Sequence, residues 1–544
     1  MPVRRRHDKR QDPSPPMARV RNLLFIMADQ LRWDHLSCYG HRSLRTPHLD
    51  GLASRGVRFE RAYVQSPVCG PSRMSTYTGR YVASHRSFWN FVPLPLSERT
   101  LGEYLSEAGI RTAVAGKTHV EPDLAELARL GLSPDEGIGL RLSQGGFEPY
   151  DRDDGVFPEA FGARVQTSYA NHLRAMGYDG ANPWHDHANS ARGPGGEILS
   201  GWYMRYAREP AAIPKEHSET AYMTTRAIDF IDAQGEAPWC LHLSYIKPHW
   251  PYVAPAPYHC LFEAGDVQPP VRAAAERKDP HPVYGAYQQR PESLAFSHDE
   301  VRDLVAPTYM GLVRQLDDEI GRLLAHLQRC GRMDDTLIVF TSDHGDYLGD
   351  HWLGEKELFH DASARVPLIV YDPDPAADAS RGRVEHRLAE AIDLLPTMLD
   401  AVGVPQPSHR VQGRSLLPLW REAGLPAAWR EFVFSELDYS FWTDTRLRLG
   451  RPLDGCRARM VCDGRWKLVT YQGYERVQLF DLDEDPGELR DLGTDPARGP
   501  VLRRLSDALQ DWSLGIPAHE TAPDDWVSAW WARNESAGVH IGRW

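Results

Sequence analysis

Leu23-Leu-Phe-Ile-Met-Ala28, followed at once by Asp29 and Gln30, decides the architecture. Six consecutive apolar residues fall far short of the ~20 that a membrane helix needs and suit a strand covered on both faces. The pattern recurs. Arg111–Ala115 runs into Gly116-Lys117-Thr118-His119, Trp239–Ile246 into Lys247-Pro248-His249, and Thr336–Thr341 into Ser342-Asp343-His344-Gly345. Pro367–Tyr371 reads as a further strand. Helical stretches lie between: Thr100–Ala108 closed by Gly109, His217–Gln234, and a long amphipathic helix from Ser297 to Gly331. Ser297 and Glu300 have capping-box spacing, and Pro307 should kink or split the first turns. Strands alternating with helices predict an α/β fold, a large, mostly parallel or mixed central sheet flanked by helices on both faces.

Working outward, residues 1–19 form a basic leader with no apolar stretch, read as disordered, and no secretory signal is seen. Residues 20–425 form the catalytic α/β domain, interrupted at about 121–215 by a Gly-, Pro- and aromatic-rich insertion of the kind that often supplies lids. Short strands at Glu431–Ser435, Ala458–Cys462, Trp466–Tyr471 and Gln478–Leu482, then a helix at Pro500–Trp512, predict a small antiparallel subdomain over 426–515. The tail 516–544 carries Trp526, Trp530, Trp531 and Trp544, which should dock on their own subunit or on a neighbour, making a homo-oligomer the expected state.

The 544 residues carry 62 Lys+Arg against 75 Asp+Glu, a net charge of −13 that argues against a nucleic-acid or membrane-surface partner. Seven cysteines without a CxxC spacing suit a reducing, cytoplasmic setting better than a disulfide framework.

In open α/β sheets ligands bind outside the carboxyl ends of the strands. Four strands here deliver carboxylate, amide, imidazole and ammonium groups to one edge. Asp29, Gln30, Asp343 and His344 offer oxygen and nitrogen donors suited to a hard or borderline divalent cation, and no sulfur pair points to structural zinc. Cys69 stands in Pro67-Val68-Cys69-Gly70-Pro71-Ser72-Arg73, before a helix that Pro71 suits at its first turn and Gly79 at its end, so its side chain should meet a helix N-terminus that favours anionic character.

The Cys69-Gly-Pro71-Ser72-Arg73 string with Thr78-Gly79-Arg80 resembles the sulfatase family of the alkaline phosphatase superfamily. Lys117-x-His119, Pro248-His249-Trp250-Pro251, Asp343-His344-Gly345, Lys356 through Arg365-Val366-Pro367, Gly413–Pro418 and Leu479–Glu488 match further family landmarks in order. The pairing of Asp29-Gln30 with Asp343-His344, and Asn90 as a substrate contact, are similar to the phosphonate monoester hydrolase and phosphodiesterase branch, whereas Lys117 and His119 look like the sulfatase charge set. The resemblance implies that a maturation enzyme oxidises Cys69 to formylglycine, and that one calcium or manganese ion is held by Asp29, Gln30, Asp343, His344 and position 69. It implies attack by the hydrated aldehyde on a small anionic ester. Arg73 would hold the diol, Lys117 and Lys356 the equatorial oxygens, His249 or Lys356 would protonate the leaving oxygen, and His119 would act as base. The expected activity is arylsulfatase-like sulfuric ester hydrolysis. Phosphonate monoester or phosphodiester hydrolysis with the same nucleophile is the alternative, and an anion-binding protein with unmodified Cys69 a remote one.

Overall fold

The computed structural model describes residues 20–155, 164–421, 428–516 and 523–540; the leader and Trp544 lie outside them. Strand β1 (Asn22–Asp29) is buried along its whole length at the centre of a nine-stranded sheet. The other members are β2 (Val57–Tyr63), β3 (Arg111–Gly116), β4 (Glu148–Arg152), β7 (Trp239–Pro248), β8 (Thr336–Ser342), β9 (Arg365–Tyr371), β10 (Arg383–Glu385) and β11 (Ala389–Glu390). Two short strands, β5 (Ser190–Arg192) and β6 (Ile198–Ser200), pair antiparallel on their own inside the insertion. The order is β10-β2-β9-β8-β1-β7-β3-β4, with β11 also on β2. Every pairing is parallel except those of β9, which runs antiparallel to both β2 and β8.

Side chains alternate across β1, as a pleated strand covered on both faces requires. Leu24, Ile26 and Ala28 enter a core shared with helices Glu219–Asp232 and Asp299–Arg329 through Met223, Phe230, Val313 and Leu316. Leu23, Phe25 and Met27 enter the opposite core with helices Cys69–Thr78, Leu101–Glu107 and Leu394–Ala401. Each large apolar side chain so buried contributes roughly 1.5–3 kcal/mol.

Two helix details differ from expectation. The long helix starts at Asp299 with His298 as N-cap, and its cap makes no side-chain hydrogen bond. The Ser297 hydroxyl instead donates to the Leu294 carbonyl at 2.7 Å, closing the preceding helix Pro291–Phe296. Nor does Pro307 split the helix, whose 31 residues run through it. One absent amide donor does not outweigh the apolar face on either side, where Val305, Leu312 and Val313 are buried. The box expected in the abstract is instead complete at Thr100, whose side chain accepts from the Glu103 amide while Glu103 reaches back to Thr100.

His242 of β7 gives the core a pH response. It stacks on Phe25 with ring centroids 4.4 Å apart. Its Nδ1 donates to the Phe25 carbonyl at 3.2 Å, so Nε2 accepts the Tyr77 hydroxyl at 2.9 Å and the ring is neutral. Burial, with Arg73 nearby, pushes its pKa down to about 3. A histidine depressed in the fold favours the unfolded chain as soon as that chain takes up a proton, so stability is intact above the unfolded value of about 6.5 and falls as pH drops below it, by up to ~1.4 kcal/mol per unit. The urea midpoint is expected to decline from pH 6.5 to pH 4, and less steeply in His242→Gln; parallel declines would overturn this assignment.

The second sheet is β12 (Val433–Asp438), β13 (Arg457–Cys462), β14 (Trp466–Tyr471) and β15 (Gln478–Asp481), antiparallel throughout. Helix Gly499–Gly515 covers one face through Leu505 and Leu509. The other face packs Val433, Met460 and Val469 against Tyr63, Val68 and Trp89 of the larger unit, so the small sheet abuts the segment that carries Cys69. Among the described residues no helix is long and apolar enough to cross a membrane. In the tail, helix Asp524–Ser536 leaves Trp526, Trp530 and Trp531 exposed at 57%, 39% and 57% among the described residues.

Candidate active site

Strands β8, β1, β7 and β3 are consecutive in the sheet, and their carboxyl ends carry Asp343-His344, Asp29-Gln30, His249 and Lys117 respectively. Parallel pairing with Ala28 opposite Ser342 and Asp29 opposite Pro248 brings these tips level. Gly116 must be glycine: its φ is +97°, and a Cβ there would lie 1.9 Å from the Ser244 carbonyl oxygen. The same carbonyl accepts the Lys117 backbone amide at 3.0 Å.

The helix Cys69–Thr78 begins at Cys69 itself and ends at Gly79 in the left-handed region, φ +67°. Cys69 is buried, with Sγ 3.1 Å from His344 Nε2 and 3.9 Å from Asp29 Oδ1. Burial would push its thiol pKa up, but Lys117, Lys356 and His344 hold it well below the ordinary range. Asn90 Oδ1 accepts the Gly70 amide at 2.8 Å, which fixes the chain beside the helix start.

Arg73 ties the centre together. Its Nε donates to Asp343 Oδ2 at 2.8 Å and its Nη2 to Asp29 Oδ2 at 3.3 Å, while Nη1 donates to the Lys117 carbonyl and to Ser244 Oγ. Lys117 Nζ stands 2.5 Å from Asp29 Oδ2. Burial opposes ionisation of Asp29, yet Lys117, His249 and Arg73 leave its pKa well below the carboxylate range. The outer oxygens of both aspartates are thus anchored. The inner ones, Asp29 Oδ1 and Asp343 Oδ1, each lie 3.7 Å from His344 Nε2, too far for a hydrogen bond. His344 Nδ1 donates to the Gly345 carbonyl at 2.9 Å, so it is Nε2 that faces the carboxylates. One ligand atom each from Asp29, Cys69, Asp343 and His344 all fall within 4.8 Å of one another. Two inward carboxylate oxygens and an imidazole nitrogen around a common gap fit one divalent cation.

Gln30 joins this centre through its amide N–H to Asp343 Oδ1 at 3.1 Å. Its side chain is pinned: Nε2 donates to Asp346 Oδ2 at 2.6 Å, and Oε1 accepts from Lys356 Nζ at 2.9 Å. Lys356 Nζ also donates to His249 Nε2 at 3.2 Å, and His249 Nδ1 donates to the Trp250 carbonyl. Burial and the Lys356 charge lower the pKa of His249. His119 lines the same cleft, its ring edge-on to Phe91 and its backbone N–H on Asp154. The structure therefore brings together all the singled-out residues around Cys69, the His119 side chain interacting with it directly and Asn90 reaching the neighbouring Gly70.

Sequence reasoning missed Asp346, whose carboxylate also accepts the Tyr252 hydroxyl at 2.7 Å. It missed Ser244 as well. The spacing of Asp346 two residues after His344 was visible, but nothing local distinguished it from a loop aspartate. The cleft above Cys69 has a volume of about 940 Å³, and residues of the insertion, among them Asp154, Trp184 and Trp202, line it.

A mixed-sheet α/β fold with this cluster at the strand tips defines a hydrolase class. The sequence profile of the sulfatase family matches residues 21–126 and 145–404, and that of the N-sulphoglucosamine sulphohydrolase C-terminal region matches 349–514. The chain belongs to the sulfatase family, as a hydrolase. It is 34% identical to the multifunctional alkaline phosphatase superfamily protein PehA of Trinickia caryophylli, over 91% of this chain and 95% of that one. It is 27% identical to an arylsulfatase of Clostridium perfringens, over 87% and 90%. The phosphonate monoester hydrolase of Silicibacter pomeroyi superposes with a TM-score of 0.78 at 30% identity, covering 92% of this chain and 96% of that one.

Proposed function

We propose that the chain hydrolyses aryl sulfate monoesters, with position 69, converted from cysteine to formylglycine by a maturation enzyme, as nucleophile. The observation that carries this reading is the convergence of Lys117, Lys356 and His344 on the Cys69 side chain at the start of a buried helix. Three cations, Arg73, Lys117 and Lys356, face two carboxylates, Asp29 and Asp343, an excess of positive charge to which a bound divalent cation would add and which suits an anionic tetrahedral ester.

Asp29, Asp343 and His344 would hold one calcium or manganese ion, with the Gln30 amide oxygen, which accepts from Lys356, as the further donor that the resemblance implies; the ion would supply Lewis-acid polarisation of the reacting oxygens. The hydrated aldehyde supplies one hydroxyl to attack sulfur and a second whose deprotonation expels the anion. Arg73 keeps both aspartates oriented. Lys117 and Lys356 hold the equatorial oxygens as charge shifts onto them. The leaving oxygen takes its proton from Lys356 Nζ, directly or relayed through His249 Nε2, which accepts from that ammonium in the resting site. His119, whose side chain interacts with that of Cys69, is the base for the second hydroxyl.

A second reading, phosphonate monoester or phosphodiester hydrolysis, is favoured by Gln30, a neutral amide among the cation donors. Rates of the matured, metal-loaded protein on an aryl sulfate, a phosphate diester and a phosphonate monoester decide between them; diester or phosphonate rates ahead by orders of magnitude would reverse the order. Mass spectrometry of the tryptic peptide Ala62–Arg73 should show thiol-to-aldehyde conversion. An unmodified thiol in folded, coexpressed protein would leave the site without this nucleophile.

All seven cysteines are free, which supports a reducing, cytoplasmic setting. The exposed tryptophans of helix Asp524–Ser536 support self-association through the tail. Removal of residues 516–544 is expected to lower the oligomeric state in size-exclusion chromatography, and an unchanged elution volume would reject the assignment.

A further inference from the structure

We infer that the outer cleft is a subsite for a flat, uncharged aromatic leaving group, built jointly by the loop after the Cys69 helix and by the C-terminal subdomain. This rests on the hydrolase reading above and adds where the aryl group of the ester sits and that aryl groups bearing a second anion are refused. Phe91, Phe441 and Trp442 are 66%, 46% and 36% exposed, yet all three line the cleft whose floor is Cys69. Trp89 stacks face to face on Phe441, with centroids 5.4 Å apart and planes 4° apart, and meets Trp442 edge-on at 5.9 Å. Trp442 is itself fixed. Its Nε1 donates to Glu357 Oε2 at 2.6 Å, and the Arg290 guanidinium lies 3.5 Å over its ring. Aromatic surface held rigid and open to solvent inside a concave site is surface that a planar apolar ligand can cover with little ordering cost.

The charges of the wall select against a second anion. Beyond the floor, Arg152 is paired with Asp154 at 3.1 Å, and Arg290 with Glu357 at 3.2 Å and with Glu292. The remaining charged groups of this wall are the carboxylates Glu121, Glu355 and Asp444. A leaving group carrying its own sulfate, phosphate or carboxylate would meet no unengaged cation there among the described residues, and would face like charge. A neutral arene meets neither obstacle.

The test separates binding from turnover. Metal-loaded Cys69→Ala protein is titrated by calorimetry with benzenesulfonate, methanesulfonate and benzene-1,3-disulfonate, none of them a substrate. Benzenesulfonate is expected to bind at least tenfold more tightly than methanesulfonate, about 1.4 kcal/mol, and more tightly than the disulfonate. Phe441→Ala in that background should erase most of the preference; Phe91→Ala, at the most exposed ring, provides a second probe if the Trp89 stack is disturbed. Equal affinity for the two monosulfonates, or tighter disulfonate binding, overturns the inference. An enzyme inactive on every ester but retaining the benzenesulfonate preference would sink the hydrolytic reading and leave the subsite standing. In active protein, Phe441→Ala should lower the ratio of phenyl to methyl sulfate kcat/KM about tenfold, and an unchanged ratio counts against the subsite.

Discussion

Cys69→Ala is expected to fold normally and to lose turnover by ~10⁴-fold or more, to the background that binding and fixed charges alone provide. The side chain sits where burial is offset by Lys117, Lys356 and His344, so the position is built for a negatively charged or polarised group and is not required for packing. Cys69→Ser is the sharper variant. Its hydroxyl occupies the same place and can attack once, but it has no second hydroxyl with which to expel the anion. The product is an ester on serine that water must cleave in a separate step, with none of the intramolecular advantage. Intact-protein mass spectrometry after brief incubation with an aryl sulfate should find the esterified serine accumulating as steady turnover stops. Sustained multiple turnover by the serine variant, at rates near those of matured protein, would remove the reason for a formylglycine.

Much of this centre was legible because its signals are local. An apolar run ending in Asp29, His249 or Asp343 needs only the rule that strand tips carry ligands, and the parallel register then aligns them. The Cys69 helix was legible from Pro71 and Gly79 for the same reason. What stayed hidden depends on pairing between distant segments. β2, Val57-Arg-Phe-Glu-Arg-Ala-Tyr63, carries charges within it and changes register between Phe59 and Ala62, which blurs its alternation. β9 reads as an ordinary apolar strand; its antiparallel direction is set by how the long connection over residues 343–364 returns the chain beside β8, and its composition does not encode it. The stack of Trp89 on Phe441 joins the first part of the chain to the C-terminal subdomain, and no periodicity within either segment marks it. Ser297 shows the opposite failure: the local signal was present, but a neighbouring carbonyl at Leu294 took the hydroxyl.

Arg73 should prove the most costly residue of the centre to alter while keeping its charge. It has no solvent exposure and donates to four different groups: the carboxylates of Asp343 and Asp29, the Lys117 carbonyl and Ser244 Oγ. Truncation to alanine leaves Asp343 Oδ2 without its cation and Asp29 with Lys117 and the more distant His249, a buried imbalance worth roughly 3–5 kcal/mol of stability. Arg73→Lys restores the charge and separates the two contributions. A single ammonium cannot span both aspartates and the two further acceptors, because lysine has a compact head where arginine has a planar fork. Stability should then recover in part, as a chemical-denaturation midpoint between those of the alanine variant and the wild type. Activity should not recover: with Asp29 and Asp343 no longer held in a common orientation, kcat/KM is expected to stay at least ~10²-fold below wild type, and calorimetric affinity for calcium or manganese should fall with it. An Arg73→Lys protein with wild-type turnover and metal affinity would mean that charge alone suffices, and that the shared bridge from Nε and Nη2 to the two strand tips is not what organises this site.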